Sequence, residues 1–167
     1  MIQLKKYTLI GIFFVLITGT LSHFLYSLAN NNPVVGLFTP VNESIWEHLK
    51  LVYFPMSLYS VFMVQKFKKQ FPSIILSLLF GLILGTVSVA VLYYTYTGIF
   101  GKNSFFIDIL TFILSIVIGF CAVYKTSASR VLKKYAAFLY ILASLFLILF
   151  LLFTYFPPAL EIFNSPA

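Results

Sequence analysis

The chain carries four carboxylates, Glu43, Glu47, Asp108 and Glu161, and two imidazoles, His23 and His48. Carboxylate oxygens and imidazole nitrogens ligate divalent metals, and both serve as general acids and bases. Three of the six fall in one stretch of twelve residues, Thr39-Pro40-Val41-Asn42-Glu43-Ser44-Ile45-Trp46-Glu47-His48-Leu49-Lys50. Two chemistries follow from these residue types. One is a divalent-metal site drawn from His23, Glu43, Glu47 and His48. The Glu-x3-Glu-His spacing is not the His-Glu-x2-His zinc helix, so ligand type carries this reading, not a motif. The other is acid–base catalysis. Glu47 or Glu43 would be the base, His48 and His23 ligands or proton-transfer partners, and Asp108 an orienting carboxylate. Asn42, Ser44, Trp46 and Lys50 are interleaved with these groups and are the candidate substrate contacts. Ser22, Ser44 and Ser104 offer hydroxyls, but no Gly-x-Ser-x-Gly elbow is present to activate one. Asn42-Glu43-Ser44 also spells a glycosylation triplet, read as chance because it lies so close to the membrane.

These residues need elements to hold them. Thr39-Pro40 reads as a helix start: a hydroxyl cap, then a proline where its missing N–H does no harm. A helix from Pro40 puts Asn42 and Glu43 in its first turn, where a carboxylate suits the helix dipole. Glu43 and Glu47, four apart, then share a face with Lys50, and Ser44 and His48 form the neighbouring stripe. A plainer reading competes: a solvated amphipathic start with a Glu47–Lys50 pair, Lys50 snorkelling outward and Trp46 anchored in the interfacial aromatic belt. His23 and Asp108 weigh against it. They lie within apolar runs and have no partner on their own helices, so their partners are expected from other helices.

Composition decides where those helices sit. The 167 residues are 61% hydrophobic and only 9% charged, against about 25% charged in a soluble domain. Such a chain cannot solvate a globular surface, and its 20 Phe and 11 Tyr exclude polar disorder. Five apolar runs are long enough to cross a bilayer: 7–29, 46–65, 73–97, 105–124 and 135–156. They are expected as helices, since in lipid each backbone N–H and C=O must be satisfied within its own segment. The fold class is therefore all-α: a single integral membrane domain, 1–167, in contact with the lipid bilayer.

Nine of the eleven basic residues fall on one side of this arrangement: Lys5, Lys6, Lys66, Lys68, Lys69, Lys125, Arg130, Lys133 and Lys134. The positive-inside rule puts that side, and the N-terminus, in the cytoplasm, with the C-terminus outside. The net charge of +7 is thus topological. A nucleic-acid partner is excluded, because the cations are split among short loops. All four acidic residues and both histidines gather toward the outer face. Ser27-Leu28-Ala29 after the Lys-Lys flank resembles a signal-cleavage site, but the apolar run is long and contains Thr18, Thr20, Ser22 and His23, so a retained span is expected.

Other features read as packing. Gly81-x3-Gly85 and Ser115-x3-Gly119 are small-residue patterns that let helices approach closely. Asp108, Thr111 and Ser115 form a polar stripe facing protein. Pro55 should kink its helix. Tyr93, Tyr94 and Tyr96 suit an interfacial belt, with one or two hydroxyls free to line a pocket. Asn30–Thr39 is too apolar for a free loop and too short to span, so a re-entrant or interfacial segment is expected. Pro157-Pro158 ends the last run, and the tail 159–167 is apolar enough to fold back over the outer face. The lone Cys121 excludes an internal disulfide and a cysteine-based metal cluster.

The run Gly36-Leu37-Phe38-Thr39-Pro40-Val41-Asn42-Glu43-Ser44-Ile45-Trp46-Glu47-His48-Leu49-Lys50, preceded by His23-Phe24-Leu25-Tyr26, resembles a family of small multi-pass bacterial membrane proteins of unknown function. The resemblance is close over about the first third and rests on matching hydropathy beyond it. It implies a bacterial plasma membrane and points to His23, Glu43, Glu47 and His48, without supplying a reaction. The reading that results is a membrane-embedded hydrolase or transferase with an outer-face acidic and histidine pocket. It would act on a lipid or lipid-linked substrate, with a divalent metal as the candidate cofactor. The alternatives are an ion or small-solute binding or transport module, a homo-oligomer, or an accessory subunit beside a partner membrane protein.

Overall fold

The computed structural model describes residues 1–165 and is all-helical over that range. The elements are α1 (Ile2–Leu28), α2 (Pro33–Gly36), α3 (Ile45–Phe67), α4 (Ile74–Phe100), α5 (Phe105–Thr126) and α6 (Ala136–Phe153), with 3-10 turns at Val131–Tyr135 and Glu161–Phe163. Four segments are long and apolar enough to cross a membrane: α1, α4, α5 and Val131–Phe153. At 1.5 Å per residue the 27-residue helices reach about 40 Å. α3 is different. It carries Glu47, Lys50 and Lys66, yet 13 of its 23 residues are buried, against 3 of 18 in α6. It packs chiefly between α1 and α4, while α5 packs on α4 and α1.

Short connections make successive long helices antiparallel. The end of α1, the start of α3, the end of α4, the start of α5 and the end of α6 therefore share one end of the bundle. Lys66 Nζ stacks 4.4 Å from the Tyr7 ring at the other end, and the Tyr59 hydroxyl donates to the Tyr7 carbonyl there. α1 is stopped by Asn30 and Asn31, with φ of 52° and 55°, a left-handed conformation that asparagine tolerates better than most residues. Gly101, at φ 68°, ends α4 in the same way.

The small-residue patterns form the α4–α5 seam. A Cβ on Gly81 would stand 2.5 Å from the Gly119 carbonyl oxygen, and one on Gly85 would stand 3.1 Å from that of Ser115. These are backbone atoms, so the two helices meet with nothing to spare. Thr111 and Ser115 are buried on that side of α5, as the polar stripe requires. Pro55 lies inside α3 and deprives the Leu51 carbonyl of its helical donor. Gly19 of α1 faces that carbonyl, and a Cβ there would be 2.6 Å from it. A proline in one helix is thus matched by a glycine in its neighbour.

Three local expectations are corrected. The helix expected from Pro40 starts at Ile45, with Ser44 as its cap. Trp46 is not an interfacial anchor: it is 7% exposed and packs on Phe150, Phe153 and Phe163. Lys50 does not snorkel, being fully buried. The tail does fold back, since the turn Glu161–Phe163 lies against α3; Pro166 and Ala167, its last residues, lie outside the described residues.

Candidate functional site

Ser44 closes the start of α3 by accepting from the Glu47 N–H at 3.4 Å. Asn42 Oδ1 accepts from the Ser44 N–H at 2.9 Å, and Glu47 Oε2 reaches back to the Val41 N–H at 2.9 Å. This is a displaced capping box. The Ser44-x2-Glu47 spacing is the sequence signal for it, but the glutamate bonds Val41 because Asn42 already holds the Ser44 N–H. The tight turn throws Glu43 off the helix. Glu43 and Glu47 therefore do not share a face, and they enter two separate clusters.

The first cluster is His23, Glu43 and His48. His23 Nε2 and His48 Nε2 both stand 3.4 Å from Glu43 Oε2. The two rings lie 5.3 Å apart, and one ligand atom from each of the three residues falls within 4.8 Å of the others. His48 Nδ1 lies 2.9 Å from the Ser44 carbonyl oxygen. A carbonyl only accepts, so Nδ1 carries the proton. In the neutral ring Nε2 then presents a lone pair toward the glutamate. This is the backbone-carbonyl support that metal-ligating histidines ordinarily have. The 3.4 Å spacings are long for a hydrogen bond between these atoms. These two spacings are close to the roughly 3.4 Å between ligands held about 2.1 Å from one tetrahedral ion, and the imidazole-to-imidazole spacing is within 4.8 Å. His23, Glu43 and His48 are thus placed so that together they could hold a divalent ion.

The second cluster is buried behind the first. Lys50 Nζ donates to Glu47 Oε2 at 2.7 Å, to the Gly36 carbonyl at 3.0 Å and to Thr154 Oγ1 at 2.6 Å. All three ammonium hydrogens are used. The Thr154 hydroxyl in turn donates to the Phe150 carbonyl at 2.6 Å. Glu47 and Lys50 are 2% and 0% exposed, so this ion pair faces no solvent and lines no cavity. It ties α2, the start of α3 and the end of α6 together. Tyr155 adds a second tie by donating to the Pro33 carbonyl at 2.6 Å. Thr154 and Gly36 were not among the residues that the sequence singled out. A threonine in an apolar run carries no sign of a lysine 104 positions away.

A cavity of about 380 Å³ opens beside the histidine cluster, within the usual range for a small-molecule site. His23, Glu43, His48 and Asp108 all line it. Leu51, Val89, Ile109, Thr111 and Phe112 also line it. Asp108 finds its partner on another helix: the Tyr96 hydroxyl donates to it, while the Ser104 N–H donates to that hydroxyl at 3.3 Å. Of the candidate contacts, Asn42 lines a second hollow, Ser44 is the buried cap, and Trp46 and Lys50 are core.

No curated protein and no solved structure matches the chain. The family model DUF6512, described as a family of unknown function, matches residues 1–167. The chain therefore belongs to DUF6512, and its apolar helices make it a membrane protein.

Proposed function

We propose that this protein is a metal-dependent hydrolase or transferase embedded in a bacterial plasma membrane and acting on a lipid or lipid-linked substrate. The observation that carries the reading is the pair of imidazole nitrogens converging on one Glu43 oxygen, with His48 oriented by the Ser44 carbonyl. Three protein ligands and an open position are the pattern of catalytic zinc sites, where the metal makes bound water a nucleophile near neutral pH. His23, Glu43 and His48 would hold the ion. Asp108, on the same cavity and oriented by Tyr96, would accept a proton from the attacking group or direct the leaving group. Glu47 has the structural task, not the base's, because Lys50 and the Val41 N–H occupy the one oxygen that both contact.

The proposed topology has five spans. α3 is the fifth; its first half is buried among its neighbours, so its ion pair faces protein, while Leu58, Val61 and Phe62 lower down face outward. Nine basic residues at one end favour a cytoplasmic N-terminus and an outward-facing site. α2 would lie at the outer interface. A transport path needs polar groups through the midplane, and confinement of the acidic residues and histidines to one end favours chemistry over transit. The test is lipid turnover. Protein reconstituted in vesicles of bacterial lipid, loaded with zinc, should consume a lipid species. Chelation or His48→Ala should stop that consumption; turnover unchanged by either would refute the reading.

A further inference from the structure

The histidine cluster stands between two hollows of different character. The first is the chamber described above, whose lining is mostly apolar and includes Leu51, Val89, Ile109 and Phe112. The second, of about 310 Å³, is lined by Tyr26, Ser27, Asn31 and Asn42 together with Pro40 and Val41. His23, Phe24 and Glu43 line both. Two of the three proposed metal ligands, His23 and Glu43, therefore sit on the partition between a mostly apolar chamber and a polar basin, and His48 faces the chamber.

The walls say what each side takes. The chamber, at about 380 Å³, has room for one hydrocarbon chain. The basin offers amides and hydroxyls, and no lysine or arginine lines it among the described residues. An anionic head placed there finds no cationic side chain in the lining, and in the metal-free protein it meets the Glu43 carboxylate. Amide and hydroxyl groups instead match a neutral, hydroxyl-bearing head through directional hydrogen bonds.

We infer that the site binds a single-chain amphiphile with an uncharged, hydroxyl-rich head. Its chain lies in the Val89–Phe112 chamber, its head lies in the Asn31–Asn42 basin, and the bond joining them crosses the His23–Glu43 partition. This deepens the proposed function by naming its substrate class. Binding itself needs no metal, so it is tested separately from that function.

The probe is a monoacylglycerol with a photoreactive diazirine either near the chain end or on the head, applied to purified full-length protein with metal chelated. Cross-linked residues are mapped by mass spectrometry. The chain-end probe should label Val89 or Phe112, and the head probe should label the 26–42 segment. Excess unlabelled monoacylglycerol should reduce both about tenfold. An alkyl phosphate of equal chain length should compete at least tenfold less well. Val89→Trp, which fills the chamber, should abolish chain-end labelling there, and melting of that variant near wild type shows that it folds. If that variant does not fold, Ile109→Trp at the chamber mouth replaces it. Chain-end label spread equally over lipid-facing Phe106 and Leu114, or equal competition by the phosphate, would overturn the inference. Normal labelling, together with failure of the zinc-loaded protein to retain any divalent metal, would leave the binding site standing and sink the metal chemistry alone.

Discussion

Lys50→Met isolates the buried ion pair. The substitution keeps an unbranched side chain in the same channel and removes the ammonium. It deletes three hydrogen bonds of 2.6–3.0 Å and strands a carboxylate that is 2% exposed. Breaking a buried pair by removing one partner costs about 3–5 kcal/mol. For a chain of this size each kcal/mol lowers the melting temperature by roughly 2–4 °C, so a fall of about 6–20 °C is expected. The double variant Glu47→Gln with Lys50→Met strands no charge and should recover at least half of that loss, which makes the two sites strongly non-additive. The sequence contains a single tryptophan, and it is buried one turn from Lys50 against Phe150 and Phe163. Its fluorescence during heating in mild detergent therefore reports this region directly. Melting of Lys50→Met within about 2 °C of wild type, or simple additivity in the double variant, would refute the reasoning.

Further outcomes follow from the packing and the topology. Gly81→Ala puts a methyl 2.5 Å from the Gly119 carbonyl oxygen, backbone that cannot move aside. It should cost about 1–3 kcal/mol in the same melt, whereas Gly98→Ala, with nothing within 4 Å, should be neutral or slightly stabilising. Gly19→Ala should resemble Gly81→Ala, because the freed Leu51 carbonyl fills its space; melting at the wild-type temperature would show that the proline–glycine match is incidental. In a Cys121→Ala background, Asn31→Cys should react with an impermeant maleimide on intact cells. Ala128→Cys should react only after permeabilisation, and the reverse pattern would invert the proposed orientation.

The sequence and the structure agree where the physics is local. Apolar run length and the demand for internal hydrogen bonds place the long helices within a few residues of their ends. The small-residue spacing identifies the α4–α5 seam, because glycine has only one advantage in such a helix. Disagreement begins where a distant partner decides. Trp46 reads as an interfacial anchor until α6 and the tail bring three phenylalanines against it. Lys50 reads as a snorkelling cation until Thr154 and the Gly36 carbonyl complete its coordination. Helical spacing places Glu43 and Glu47 on one face, but the capping turn around Asn42 and Ser44 starts the helix two residues after Glu43 and separates them. His23 and Asp108 were legible as needing partners from other helices, since an ionisable group in an apolar run rarely stands alone. Which partners they take, Glu43 and Tyr96, depended on the packing.

Metal stoichiometry tests the central claim. Protein purified in detergent, loaded with zinc and desalted, should hold about one zinc per chain by elemental analysis. His23→Ala, Glu43→Gln and His48→Ala should each lower retention at least tenfold, while Glu161→Gln, in the tail turn, should leave it unchanged. A wild-type protein that retains no zinc or other divalent metal after loading, or three ligand variants that retain as much as wild type, would contradict the metal centre and the function built on it.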